Sequence, residues 1–451
     1  MRAVAVGARA AGFLALLLLG CGPKPAPPAP VTDTNPSPER PRAVASREKP
    51  EEQNRLPPLT ETDREKLQAL EHAGVTVHGP GADGGCVVRV ERTADLAPAL
   101  ATLKGLKCVT EVTFASDRLT DTDLACIAGF EHLRSFGLRD CGRVTGAGFG
   151  VLAQLPRLKW VSLVGPVTDE AGPHLGRIKT LETVVLYRTK FTDAGLKELA
   201  ALPALGSVNV TATPVTGTAF AEPGWSRLRE IDATQTAFNA AGLEAVSALP
   251  VLGTLTLDAT AVTDSGLKHL ARARALQELS LADTPVADTG VAALAGVQTL
   301  RVLNLERTGV TGAAFATFPV PAELRKLNLA ETRFTDASGS HLARLPALTN
   351  LSLSGCDVTD AGLARLADLK KLANLDLTGT KAGDGAAEVA GTLAELEVVS
   401  FRGTQLTDAG LKAAAHGTRL RFLYVRGSKV TKRGAVDAGK VVREGCRIVA
   451  E

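Results

Sequence analysis

The side chains of this chain with the most obvious chemical potential are aspartates that stand just before glycine. Asp264-Ser265-Gly266 and Asp288-Thr289-Gly290 are two such tripeptides. Two carboxylates sharing one proton could activate water for peptide hydrolysis, provided they approach to about 3 Å. The same position relative to a following leucine also holds Asp193, Asp336, Asp360, Asp384 and Asp408. A column of acids is more than a dyad uses. It suits a series of helix starts, where the preceding Thr or the Asp itself caps the first turn and negative charge meets the positive end of the dipole. Successive helices would lie about 8–10 Å apart, too far for a shared proton. The expectation is helix capping.

The remaining candidates for chemistry are scattered. Of seven cysteines, Cys141 and Cys356 sit where most units carry Thr, and a small buried thiol fits there. Cys86 and Cys108 fall in neighbouring N-terminal strands and could approach each other, while Cys126 and Cys446 have no evident partner. No C-x-x-C pair occurs, so no structural zinc is expected. His174, His269, His341 and His416 fall on different helices, and His72, His78 and His132 lie toward the N-terminus. None has metal-ligand spacing, and all read as solvated helix-face residues. Phosphate-loop, nucleophile-elbow and zinc-protease motifs are absent from the sequence. The chain therefore reads as a non-enzyme with neither metal nor cofactor.

The elements behind these residues come from one repeated unit. LGTLTLDATAVTDSGLKHLARARA from Leu252 matches LQELSLADTPVADTGVAALAGVQT from Leu276 and LTNLSLSGCDVTDAGLARLADLKK from Leu348. Leu252, Leu276, Leu300, Leu324, Leu348, Leu372, Leu396 and Leu420 stand 24 apart, and Val109, Leu133, Leu158, Leu181, Leu205 and Leu228 precede them at nearly that spacing. In each unit L-x-L has the period of a strand with alternate side chains inward, and G-L-x-x-L places leucines on one face of a helical turn. One unit cannot bury its own leucines, so neighbours must stack. The ninth position holds Thr189, Thr213, Thr236, Thr260, Thr284, Thr308, Thr332, Cys356, Thr380, Thr404 and Ser428. Hydroxyls there are suited to satisfying backbone groups in the turn that leaves each strand.

The pattern L-x-x-L-x-L-x-x-T-x-V-T-D-A-G-L-x-x-L resembles the leucine-rich repeat family, in the T-D-x-G-L subtype found in F-box-associated substrate receptors and bacterial envelope proteins. The resemblance implies an α/β solenoid, a leucine-rich-repeat horseshoe with a parallel concave sheet and convex helices, over residues 109–433. Residues 59–108 read as an N-terminal cap, with a helix that stops at Gly74 and a strand CVVRV at 86–90. Residues 434–451 read as a C-terminal cap of helix and edge strand.

The start of the chain reads as an address. Arg2 and Arg9 precede an apolar run over residues 10–19, too short to span a bilayer but the right length for a secretory signal. It ends Leu18-Leu19-Gly20-Cys21, which resembles the lipobox of bacterial lipoproteins. That resemblance implies a signal peptide over 1–20, lipidation of Cys21 and residence in the bacterial cell envelope. Residues 21–58 are rich in Pro and charge, and read as a disordered tether.

Composition limits what the body can bind. Of 451 residues 22% are charged, yet the formal net charge is +3, which lacks the basic footprint of a nucleic-acid binder. Aromatics make up only 4%, with two Trp and two Tyr, so their positions carry information. The third, fifth and seventh positions of each unit should face the concave side. They include Trp160, Val164, Val185 and Tyr187 near one end, and Arg402, Phe422, Tyr424 and Arg426 near the other. Exposed aromatics on a rigid sheet are suited to anchoring a protein partner. Glu230, Asp232, Asp258, Glu278 and Glu306 between them read as a solvated acidic stripe. The reading is a membrane-anchored monomer that binds protein through this face. The alternatives are a substrate-receptor-like adaptor related to F-box proteins, and a structural envelope protein with no specific ligand.

Overall fold

The computed structural model describes residues 56, 58–81, 84–91, 96–317, 323–442 and 445–450. The signal segment, Cys21 and the tether as far as residue 55 lie outside the described residues.

Helix α1 (Glu61–His72) opens with a reciprocal cap. The Asp63 amide donates to Thr60 Oγ1 at 3.1 Å, while the Thr60 amide donates to the Asp63 carboxylate. Gly74, at φ 80°, turns the chain out of the helix into strand β1 (Thr76–His78). β1 pairs antiparallel with β2 (Cys86–Val90), and every later pairing is parallel. β3 (Val109–Phe114), β4 (Ser135–Arg139), β5 (Trp160–Val164) and β6 (Thr183–Tyr187) follow. Three-residue strands then recur once per unit to β16 (Phe422–Tyr424) and β17 (Arg447–Val449). The result is one open sheet of 17 strands. A helix, Leu96–Leu103, follows β2, so parallel stacking begins one unit ahead of the first leucine-pattern repeat.

Only the fourth and sixth positions of each unit's strand segment point inward. Leu255 and Leu257, Leu279 and Leu281, Leu303 and Leu305 are almost completely buried, and each row meets the identical row of the next unit. The helical side consists of short α and 3-10 turns that bury the leucines after each Gly. The expected hydroxyl column is present. Thr213, Thr236, Thr260, Thr284, Thr308, Thr332, Thr380 and Thr404 each donate Oγ1 to the carbonyl three residues back, at 2.6–2.8 Å.

That bond accompanies a tight turn, and the residue before each hydroxyl takes a positive φ. Gly355, Gly379, Gly403 and Gly427 fill this position in the C-terminal units at no steric cost. Arg188, Ala212, Gln235, Ala259, Asp283, Arg307 and Glu331 fill it elsewhere, at φ 54–57° or, for Ala259, 53°. A side chain in this region costs about 1–2 kcal/mol.

Of the two expected caps, the Thr takes the helix start in several units, and the Asp acts on the neighbouring unit instead. Thr192, Thr359 and Thr407 are the caps of their own helices, each accepting from the amide two residues on. The Asp carboxylate reaches forward to the next unit. Asp336 Oδ1 accepts the Thr359 amide at 2.8 Å and its Oδ2 accepts the Thr359 hydroxyl at 2.6 Å. Asp169 holds Thr192, Asp193 holds Thr216, Asp288 holds Thr311, Asp384 holds Thr407 and Asp408 holds Thr431 in the same way. Asp121 does so with Thr145, while Asp264 holds the Ala287 amide and the Thr289 hydroxyl. Asp360 accepts the amides of Gly383, Gly385 and Ala386.

The glycine two residues after the Asp belongs to the neighbouring clasp. A Cβ on Gly195 would lie 2.5 Å from Asp169 Oδ1, and Gly290, Gly362 and Gly410 meet Asp264, Asp336 and Asp384 in the same manner. The spacing that resembles a catalytic tripeptide therefore joins two contacts, one given to the following unit and one received from the unit before. Asp264 and Asp288 each face their own receiver, so no proton-sharing pair forms.

Asp360→Ala should lower unfolding free energy by about 1–2 kcal/mol, and Asp264→Ala by a similar amount, in urea titrations. For Asp408 the Thr431 hydroxyl, then the Thr431 amide, hold the carboxyl below its ordinary value of 3.8. Its stabilising share is therefore complete above that value and lost as pH falls through the lower, folded one. The stability difference between wild type and Asp408→Asn should shrink between pH 7 and strongly acidic buffer. At the strained turn, Ala212→Gly and Ala259→Gly should each raise stability by about 0.5–1 kcal/mol in the same titrations.

Candidate binding face

The outward positions of the strands form three rows that cross the sheet. Trp160 aligns with Thr183, Ser162 with Val185, and Val164 with Tyr187. Trp160 is 46% exposed, whereas the inward residues beside it, Val161 and Leu163, are fully buried. Val164, Val185 and Tyr187 are partly exposed. Trp160 and Tyr187 therefore stand in adjacent units but at opposite ends of their strands, about 13 Å apart along the strand direction. Val164 and Val185 fill the interval. The Arg188 guanidinium lies 5.2 Å from the Tyr187 ring centre and covers it from one side.

The second cluster lies on β16. The rings of Phe422 and Tyr424 stack at 6.2 Å with an interplanar angle of 11°, and the Arg402 guanidinium lies 4.5 Å from the centre of the Tyr424 ring. Arg402 and Arg426 are exposed. β17 aligns Arg447 with Phe422 and Val449 with Tyr424, so the cap strand extends this cluster. The fourth Trp/Tyr residue, Trp225, is internal. Its indole N–H donates to the Ala219 carbonyl at 3.0 Å, and its ring packs 5.2 Å from that of Phe220.

The acidic stripe is not simply solvated. Glu230 and Glu278 are exposed, but Asp232, Asp258 and Glu306 are partly buried and bonded. Asp232 accepts from the Asn209 amide group and the Thr234 hydroxyl, and Asp258 Oδ1 accepts from Ser280 Oγ at 2.5 Å and the Ala282 amide at 2.9 Å. Asn304 donates to Ser280, and Asn328 to Glu306. Arg307 bridges Asp283, Glu306 and Glu331 at 2.8–3.3 Å. This network is a polar lining that holds the middle strands in register. Burial pushes the Asp258 carboxyl up to about 6, against its bonds to Ser280 and Ala282, with Asp232 and Asp283 adding repulsion. Burial likewise raises Glu306, opposed by Arg307.

Sequence reasoning passed over two features of this face. One is Arg307, whose role depends on three acids from three different units. The other is Gly137, the only glycine within the described strands, beside which a recess of about 320 Å3 opens next to Trp160. Its signal in the sequence was a lone glycine in a strand pattern, which marks a close backbone approach or a bound group.

The cysteines and histidines form no cluster of metal-binding type among the described residues. Cys86 on β2 and Cys108, just before β3, do come together, without a disulfide between them. The Cys108 thiol is pushed far up, first by its hydrogen bond with Cys86 and then by burial. Cys356 is buried in the hydroxyl column and donates to the Leu329 carbonyl at 3.0 Å. Three histidines depart from the solvated reading. His341 bonds the Gly312 carbonyl at 3.3 Å, and the Nδ1 atoms of His132 and His174 are buried without a partner. No helix among the described residues is long and apolar enough to cross a membrane.

Comparison with known proteins agrees with this architecture. The leucine-rich repeat family model matches residues 274–295 and 345–367. An internalin of Listeria monocytogenes is 17% identical with a TM-score of 0.52, covering 73% of this chain and 95% of that one. A leucine-rich-repeat protein of Leptospira interrogans is 17% identical with a TM-score of 0.52, covering 78% and 91%. TLR13, in a complex with a single-stranded RNA, is 16% identical with a TM-score of 0.50, covering 79% of this chain and 59% of TLR13. No curated protein matches the chain. The fold is that of a leucine-rich-repeat solenoid.

Asp258→Asn keeps an acceptor for Ser280 and Ala282 but removes a buried charge. A raised carboxyl is neutral in both folded and unfolded protein at low pH and costs stability once it ionises. The variant should match wild type below about pH 4 and exceed its unfolding free energy by about 1 kcal/mol at neutral pH, after allowance for partial exposure.

Proposed function

We propose that this protein is a lipid-anchored component of the bacterial cell envelope that binds a protein partner on the outer face of its sheet, and that it acts by binding and not by catalysis. The observation that carries the binding assignment is the exposure of Trp160. The inward rows absorb Val161 and Leu163 of its strand, yet the largest side chain stands out from the sheet between Ser135 and Thr183. A rigid strand face that presents an indole beside Val164, Val185 and Tyr187 loses little conformational entropy on association. The Phe422–Tyr424 stack with Arg402 and Arg426 supplies a second contact area at the other end. The anchoring assignment rests on the Leu18-Leu19-Gly20-Cys21 sequence and the Pro-rich tether after it. One acyl chain binds membranes only marginally, so firm attachment through Cys21 requires a second membrane-binding signal or a second chain.

Photocrosslinking residues placed at Trp160, Tyr187 and Tyr424 should capture the same partner in envelope fractions, and one placed at exposed Glu244 on the helical side should not. With that partner purified, Trp160→Ala should weaken the dissociation constant by about 2 kcal/mol, and Glu244→Ala should leave it unchanged. Equal labelling from both faces would favour the structural envelope role instead. Cys21→Ala should move the protein from the membrane to the soluble fraction, and wild-type protein with an unmodified Cys21 in the soluble fraction would remove the anchor from the proposal.

A further inference from the structure

The recess beside Trp160 lies on strands β2 to β5, away from most of the apolar patch. Its centre is Gly137, aligned between Thr113 and Ser162. The three atoms nearest a Cβ built there all belong to the Thr113 side chain, the closest being Oγ1 at 2.8 Å, so glycine makes room for that side chain. Glycine also adds no side chain of its own to this point of the outer face. The floor is completed by the small residues Ser135 and Ala115.

The walls carry four charges. Arg89, Glu91, Glu111 and Arg139 line the recess, and none of them makes an ion pair among the described residues. This contrasts with the middle of the same face, where Arg307 satisfies three carboxylates. Arg89 is level with the Gly137 row, and Glu91, two residues on, lies at the Arg139 end. Glu111 shares a row with Ser135 and Trp160, two residues before the Gly137 row, while Arg139 follows Gly137 by two residues on the same strand. The diagonal from Glu111 to Arg139 across the glycine is about 14 Å between Cα atoms, and long side chains shorten the gap between the charges.

We propose that this recess is a binding site for a short zwitterionic peptide. Its cationic group would lie against the Trp160 ring with Glu111 as counter-ion, and its carboxylate would be held by Arg139 with Arg89 from the edge. A cation on an indole face gains from the ring quadrupole, and a guanidinium matches a carboxylate in a two-bond fork. The backbone between the two ends would lie over Gly137, within reach of the Thr113, Ser135 and Ser162 hydroxyls. A recess of about 320 Å3 suits two or three residues and not a folded domain, being at the small end of ligand pockets. The site touches the patch of the proposed docking face through Trp160 and Val164, but it does not require a protein to dock there.

Trp160 also reports on the site, because the second tryptophan, Trp225, is 4% exposed and internal. Tri-alanine with free ends, and Lys-Ala-Glu with both ends blocked, should each change the tryptophan fluorescence of the full chain saturably, and Trp160→Phe should abolish the change. N-acetyl-tri-alanine and tri-alanine amide should each bind wild type about tenfold more weakly or worse, the loss of one charge-assisted contact. Glu111→Gln should erase the penalty of the N-acetyl group alone, and Arg139→Gln that of the amide alone. Both substitutions are on solvent-accessible walls, and circular dichroism should show both variants folded. The proposal is overturned if neither zwitterion saturates the signal at millimolar concentration, or if all the tri-alanine forms bind alike. Crosslinking at Tyr187 and Tyr424 reads the docking face separately, so either reading can fail without the other.

Discussion

Most units of this protein depend on an aspartate that they do not contain. The helix starts of the stacked units expose amides that need acceptors, and the carboxylate that meets them is supplied by the unit before. A charged acceptor in that place satisfies donors, complements the helix dipole and fixes the distance between neighbours in one interaction. The glycine that follows in the pattern exists because the carboxylate of the preceding unit occupies the space of its Cβ. The leucine layer supplies most of the burial, but leucines alone would tolerate sliding. The clasp is what sets the register.

Where the aspartate is missing, the stacking uses a different device. Gly217 and Gly312 stand at the Asp position with φ of 90° and 86°, and the rings of Phe238 and Phe334 from the next unit pack directly beneath them. Ala240 stands there in another unit, whose helix is capped by its own Asn239. The solenoid is therefore a series of clasped blocks joined by looser, aromatic seams. The long unbroken block runs from Asp336 to Thr431.

Much of this was legible in the sequence. The 24-residue spacing placed the strands, the inward leucines and the hydroxyl column, because those features repeat with the same period as the unit itself. The partner of each aspartate was not legible for the same reason. Asp336 lies equally well in register with its own helix and with Thr359, and only the direction of the side chain decides between them. The two aromatics Trp160 and Tyr187 are one unit apart in sequence, but a difference of four strand positions sends them to opposite ends of adjacent strands. The acids around Asp258 and Arg307 looked solvated because burial on a sheet face arises from neighbours in other units. Gly137 carried a signal that the repeat pattern hid, since no other described strand contains a glycine to compare with it.

The forward-reaching clasp also governs how such a chain can change in length. Within the block from Asp336 to Thr431 the units that carry Asp360, Asp384 and Asp408 both give a carboxylate and receive one, so duplicating or removing one of them leaves no donor or acceptor stranded. A cut across a seam at Gly217 or Gly312 also breaks no clasp. A cut at a clasped joint leaves a bare helix start on one side and an idle acid on the other. The last clasped helix has Lys432 where the pattern has Asp, so Thr431 donates to Asp408 and the helix offers no carboxylate onward. Growth by unit duplication is thus permitted in some places and penalised in others, and the final position is chemically marked as a stop.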